Sequence, residues 1–172
     1  MKSSVIKYGF YGFCTAIICF LFVLWFGQEL NYSSQEVLGY LTMIASLSFV
    51  YFGIRHYRDQ VNDGYVSFWK AVGIGVLISA FVGLGIGIVD YIYTSTINPD
   101  FASEYLERSI ETMEATFTGD ELEFKKAELT RQMEDYGGSG FMAFLMFATV
   151  LIIGFIIALI SGLILQRKKQ IL

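Results

Sequence analysis

The chain carries a single proline, Pro99, a single histidine, His56, and two cysteines, Cys14 and Cys19. It is also poor in charge: 16% of its residues are Asp, Glu, Lys or Arg, against about a quarter in a soluble domain. Each scarcity excludes something. One histidine and two cysteines within one apolar run supply neither a zinc-ligand set nor a loop-closing disulfide, so no metal site is predicted. The near absence of proline lets the apolar segments run as unbroken helices. There is no Ser-His-Asp arrangement, no His-Glu-x-x-His and no Walker A loop. Gly83-Leu84-Gly85-Ile86-Gly87 is no nucleotide fingerprint, because no strand precedes it. The expectation is a non-enzymatic protein with no catalytic residue and no cofactor.

What the chain does have is apolar length. Its 172 residues, enough for one domain, are 55% hydrophobic. Its mean hydropathy is +0.55. Four stretches carry no Asp, Glu, Lys or Arg: Tyr8–Gln28, Val37–Ile54, Ala71–Val89 and Tyr136–Gln166, the last apolar from Phe141. Peptide groups in hydrocarbon must be satisfied within the segment, and a helical span needs about 20 apolar residues. The fold class predicted is all-α: a four-transmembrane-helix bundle forming one membrane domain, with spans at 8–28, 37–54, 68–94 and 141–165. The first run ends in bulky Leu24-Trp25-Phe26-Gly27-Gln28, unlike a cleaved leader, and is read as a retained span. Tyr8, Tyr11, Tyr40, Tyr51, Tyr57, Trp69, Tyr91 and Tyr93 stand near span ends, where amphipathic rings suit the headgroup level.

Basic residues set orientation. Lys2 and Lys7 precede the first span, Arg55 and Arg58 follow the second, Lys70 opens the third, and Arg167, Lys168 and Lys169 follow the fourth. With four spans all eight share one side, so both termini are expected in the cytoplasm, with residues 97–140 outside. Arg55, Arg58, Lys70, Arg167, Lys168 and Lys169 are expected to touch lipid phosphates and fix this topology.

Residues 97–140 hold four basic against eleven acidic residues, a net of −7, which disfavours nucleic acid as a partner. Asn98-Pro99-Asp100 reads as a helix entrance. Phe101, Tyr105, Ile110, Met113 and Phe117, then Leu122, Leu129, Met133 and Tyr136, recur at roughly helical spacing on either side of Gly119-Asp120. Gly137-Gly138-Ser139-Gly140 is read as a hinge into the last span. The prediction is a polar helical insert, 97–138, forming an acidic extracytoplasmic hairpin whose apolar stripes could pack on each other, on the outer ends of the bundle or on a partner, and which could sense a ligand or dock a partner protein. The alternative is a pair of helices that merely extend the third and fourth spans. A solvated acidic face explains the carboxylates better than a paired-carboxylate hydrolase does.

Two patterns within the spans stand out. Gly75, Ser79, Gly83 and Gly87 recur every four residues in the third, and Gly154, Ala158 and Gly162 do so in the fourth. Small residues at this spacing let helix backbones approach, so these two stripes are expected to meet. Asp90 continues the stripe of the third span, and Tyr40 is expected at its depth as a hydrogen-bond donor. An acid within a span is a candidate proton or cation site, or else a solvated interfacial group. His56 has no second histidine beside it and is read as structural; Asp63-Gly64 is read as a turn and Ser67 as the N-cap of the third span.

Several segments together resemble a known family. These are Gly39-Tyr40-Leu41-Thr42-Met43, then Phe52-Gly53-Ile54-Arg55-His56-Tyr57-Arg58-Asp59, Gly64 and Phe68-x-Lys70-Ala71, then Asn98-Pro99-Asp100-Phe101 and Leu163-Ile164-Leu165-Gln166-Arg167-Lys168-Lys169. They are similar to the bacterial membrane family called domain of unknown function 4199. The resemblance implies four spans with a polar helical insert before the last, in the inner membrane of Gram-negative bacteria, with the insert in the periplasm. It implies no catalytic residues. The partners expected are the lipid bilayer and either a second copy of the chain or a membrane protein.

Overall fold

A computed structural model describes residues 1–26 and 32–167. Among the described residues it holds six α-helices and no strand: α1 (Lys2–Phe26), α2 (Tyr32–His56), α3 (Phe68–Ile92), α4 (Phe101–Thr116), α5 (Asp120–Tyr136) and α6 (Ser139–Leu165). Single π-helical turns, Tyr57–Val61 and Tyr93–Ile97, continue α2 and α3. Among the described residues, four segments are long and apolar enough to cross a membrane: Lys2–Val23, Val37–Val61, Phe68–Ile97 and Ser139–Leu165. The end of the first expected span, through Gln28, lies outside the described residues, as do Lys168 and Lys169.

The chain divides into two compact units. The first comprises residues 1–87 and 146–172. Here α3 is the central helix. Some 61% of the most apolar window of its segment is buried, against 17–39% for the other three candidate spans. Gly73, Leu77 and Leu84 form its exposed stripe, while Ile74, Ile78 and Val82 face a core shared with Leu47, Val50 and Ile54 of α2 and Val150 and Ala158 of α6. The outer faces are apolar: Ile18 of α1 is 65% exposed, and Ile152 and Ile164 of α6 are 62% and 64% exposed. A soluble monomer rarely carries so much contiguous apolar surface; in hydrocarbon it costs nothing.

Close approach, rather than water exclusion, joins such helices. A Cβ on Gly75 would lie 2.5 Å from the Cβ of Ala158, and one on Gly83 would lie 2.9 Å from the ring of Phe147. A Cβ on Gly154 would collide with Ser79, and one on Gly162 would lie 3.3 Å from Phe68 and Val72. Gly87 is buried. The structure thus brings Gly75 to Ala158 and Ser79 to Gly154. The Ser79 hydroxyl donates back to the Gly75 carbonyl at 2.9 Å, which satisfies it without a polar partner across the seam. On the other side of α3, Gly9 and Gly12 of α1 admit Phe81 and Val82, and Gly53 of α2 admits Ile78.

The second unit is residues 88–145. Asn98-Pro99-Asp100 separates α4 from the helical segment before it, and Phe101 N–H bonds the Asn98 carbonyl at 3.2 Å. Thus α4 is a separate helix, not an extension of α3. Phe117, Thr118 and Gly119 connect α4 to α5. Gly119 takes φ +65, which a side chain would strain, and Asp120, Glu121 and Glu123 follow in the first turn, where carboxylates complement the helix dipole. The hinge after α5 is shorter than its four residues suggested: α6 already begins at Ser139, so only Gly137 and Gly138 connect them.

Candidate functional site

The most built feature of the first unit is the segment between α2 and α3. Asn62 to Tyr65 form a tight turn, with Tyr65 N–H bonded to the Asn62 carbonyl at 3.0 Å. Asp63 and Gly64 take φ values of 50 and 84, the left-handed pair that such a turn requires. Asn62 braces it: its Nδ2 donates to the Tyr65 carbonyl at 2.6 Å, and its Oδ1 accepts from the Tyr57 hydroxyl at 3.2 Å. Val66 then pairs with Arg167 in an isolated antiparallel bridge, with N–H···O bonds of 3.2 and 2.9 Å. The turn is therefore clamped to the residues that follow α6. Ser67 stands just before α3, and its carbonyl accepts from Ala71 N–H.

This folding-back corrects two expectations. Tyr57, expected at the interface, is buried, with the Lys70 ammonium 5.5 Å from its ring centroid. Arg58, expected on lipid phosphate, is only 8% exposed. Its guanidinium forks onto Asp59, with Nε at 2.6 Å and Nη2 at 3.0 Å, and Nη1 reaches the Leu165 carbonyl at 3.4 Å. Sequence neighbours do not face each other on a regular α-helix; here the chain has left α geometry for the π turn. Arg55 leans on the same carboxylate at 3.6 Å. His56 accepts or donates through Nδ1 with the buried Ser4 hydroxyl at 3.1 Å and lies against the Tyr8 ring, which ties α1 to the end of α2.

Lys70 and Arg167, 97 positions apart, are brought to one recess of about 480 Å³, lined also by Asn62, Asp63, Tyr65, Val66 and Ser67. Sequence reasoning missed Asp59 as the holder of two arginines. The Asn-Asp-Gly turn signal was the available hint that this segment folds back.

In the second unit Asp90 is buried at 6% exposure, and among the described residues its Oδ2 has no hydrogen-bond partner. The bond expected from Tyr40 is therefore not made at that oxygen, and Tyr40 itself is 53% exposed. The buried Thr94 hydroxyl donates to the Asp90 backbone carbonyl at 2.9 Å. A buried carboxyl oxygen without a partner is costly.

Helices α4 and α5 lie against one another without a buried residue on either. Leu106, Ile110 and Met113 on α4, Phe117 just after it, and Leu122, Leu129 and Met133 on α5 are half-buried. Lys126 of α5 reaches Glu114 of α4 at 2.7 Å, and that carboxylate holds the Lys126 ammonium above the usual lysine range. Lys125 sits 4.3 Å from the Phe117 ring centroid. Phe124, absent from the predicted stripes, is 69% exposed beside Glu121, Glu123 and Glu128.

Four long apolar helical segments, greasy on their outer faces and closely packed around the third, indicate a multi-pass membrane protein. The chain belongs to the family described as protein of unknown function (DUF4199), which it matches over residues 7–167. No curated protein and no solved structure matches it.

Proposed function

We propose that this is a non-enzymatic protein of the inner membrane that holds α4 and α5 outside as an acidic helical hairpin for a partner protein with a basic surface. Four spans with both termini in the cytoplasm place eight of the twelve Lys and Arg residues on one side. The observation that carries the docking role is Phe124, an exposed ring among carboxylates on a helix with no core of its own. Aromatic rings bordered by charge are frequent anchors of interfaces, and the net −7 of residues 97–140 selects a basic counterpart.

Replacing Cys14 and Cys19 by Ala and introducing Ala127→Cys gives a single thiol on α5. A membrane-impermeant reagent should label it in spheroplasts without lysis; labelling only after lysis defeats the orientation. Crosslinking from the same thiol in native membranes should capture a protein with a basic surface; recovering nothing, or only a second copy with its own acidic hairpin, removes that docking role.

A second reading rests on the unpartnered Oδ2 of Asp90. Acids buried within spans mark ion and proton paths, and an oligomer could move a proton or solute at this residue. Reconstitution in liposomes decides it: flux by the unaltered protein that Asp90→Asn abolishes supports the carrier, and absence of flux ends it.

A further inference from the structure

We infer that the recess between the α2–α3 turn and the end of α6 binds a phosphate group, gripped by Lys70 and Arg167. The argument starts from which cations are already occupied. Arg55 and Arg58 share the Asp59 carboxylate. Among the described residues, neither Lys70 nor Arg167 has a carboxylate within 4.0 Å, although both line one recess; Arg167 lies near enough to Asp59 to attract that carboxylate without pairing to it. Asp63 offsets one of these charges, which leaves the lining cationic by one. Tyr65 and Ser67, both hydroxyl-bearing, line the same recess.

The site is positioned, not merely charged. The Val66–Arg167 backbone pairing fixes where Arg167 leaves the chain, and the contact with the Tyr57 ring fixes Lys70. A planar guanidinium and a compact ammonium on two residues that line one recess suit the oxygens of a phosphate mono- or diester. The recess, at about 480 Å³, has room for a glycerophosphate headgroup. Trp69 beside Lys70 is 75% exposed; a lipid headgroup and a soluble phosphate offer the recess the same chemistry.

The experiment uses the full chain in detergent micelles. Native mass spectrometry measures binding of palmitoyl-oleoyl phosphatidylglycerol against phosphatidylcholine; thermal shift measures binding of inorganic phosphate and glycerol phosphate. Lys70→Gln and Arg167→Gln should each weaken binding about tenfold, the loss of one charge-assisted contact, and the double variant should abolish it. Lys70→Arg and Arg167→Lys should retain most of it, and Lys7→Gln should leave it unchanged. Loss confined to phosphatidylglycerol assigns the site to lipid, and loss confined to the soluble phosphates assigns it to a solute. Unaltered binding by a folded double variant, with the melting temperature of the parent, overturns the inference, as does an equal loss in Lys7→Gln.

Discussion

Gly75 and Ala158 meet so closely that a Cβ built on the glycine stands 2.5 Å from that of the alanine and 3.2 Å from its Cα. The latter is main chain and cannot swing aside. Gly75→Ile should therefore force α3 and α6 apart. Overpacking of this kind costs about 1–3 kcal/mol, which for a chain of this size lowers the melting temperature by roughly 5 °C in detergent. Gly73, two residues away, meets nothing within 4 Å, and Gly73→Ala should leave the melting temperature unchanged or slightly raised. Equal effects at both positions would remove the seam.

Asp59→Asn should strip Arg58 of its charge partner while leaving the arginine buried. An unpaired buried cation is expensive, but the Asp59 side chain is 32% exposed, so water replaces part of the loss. The expected destabilisation is about 1–2 kcal/mol, read by thermal or denaturant unfolding. Asp63→Asn, which breaks no ion pair among the described residues, is the control and should be silent.

Gly64 holds φ +84 in the turn that carries the recess. Gly64→Ala should cost roughly 1–2 kcal/mol, because a Cβ crowds the following carbonyl in that region. Gly39, helical and with nothing within 4 Å, should accept Ala with no loss. Comparing the two melting curves separates backbone strain from helix propensity.

The Lys126–Glu114 pair is exposed and bridges α4 to α5. Since Glu114 raises the folded-state lysine above its unfolded value, its contribution is complete below the ordinary lysine range and disappears only as pH climbs through the folded value. Distances between spin labels on α4 and α5 should stay constant across neutral pH and broaden at strongly alkaline pH. With Lys126→Gln the broadening should already be present at neutral pH. A native distance distribution in that variant would show that apolar contacts alone hold the two helices.

Much of the architecture was legible because it follows from local rules. Charge-free runs of sufficient length become helices, and the Asn98-Pro99-Asp100 and Gly119 breaks fall where α4 and α5 begin. Asp63-Gly64 formed its turn because its backbone angles tolerate little else. The face of Asp90 was readable from its place three residues after Gly87, one helical step along the stripe of α3; the missing partner of its Oδ2 was not, because partners come from elsewhere in the chain.

By itself, then, the amino-acid order determined which segments are apolar helices, where they are interrupted and where charge collects, since hydropathy, spacing and backbone preference act over a few residues. Only the tertiary structure decided that Arg58 turns inward onto Asp59, that Tyr57 is buried beneath Lys70, and that Lys70 shares a recess with Arg167. Those outcomes depend on which chain ends meet in space. The Val66–Arg167 pairing sets that meeting across a hundred residues, beyond the reach of any local rule.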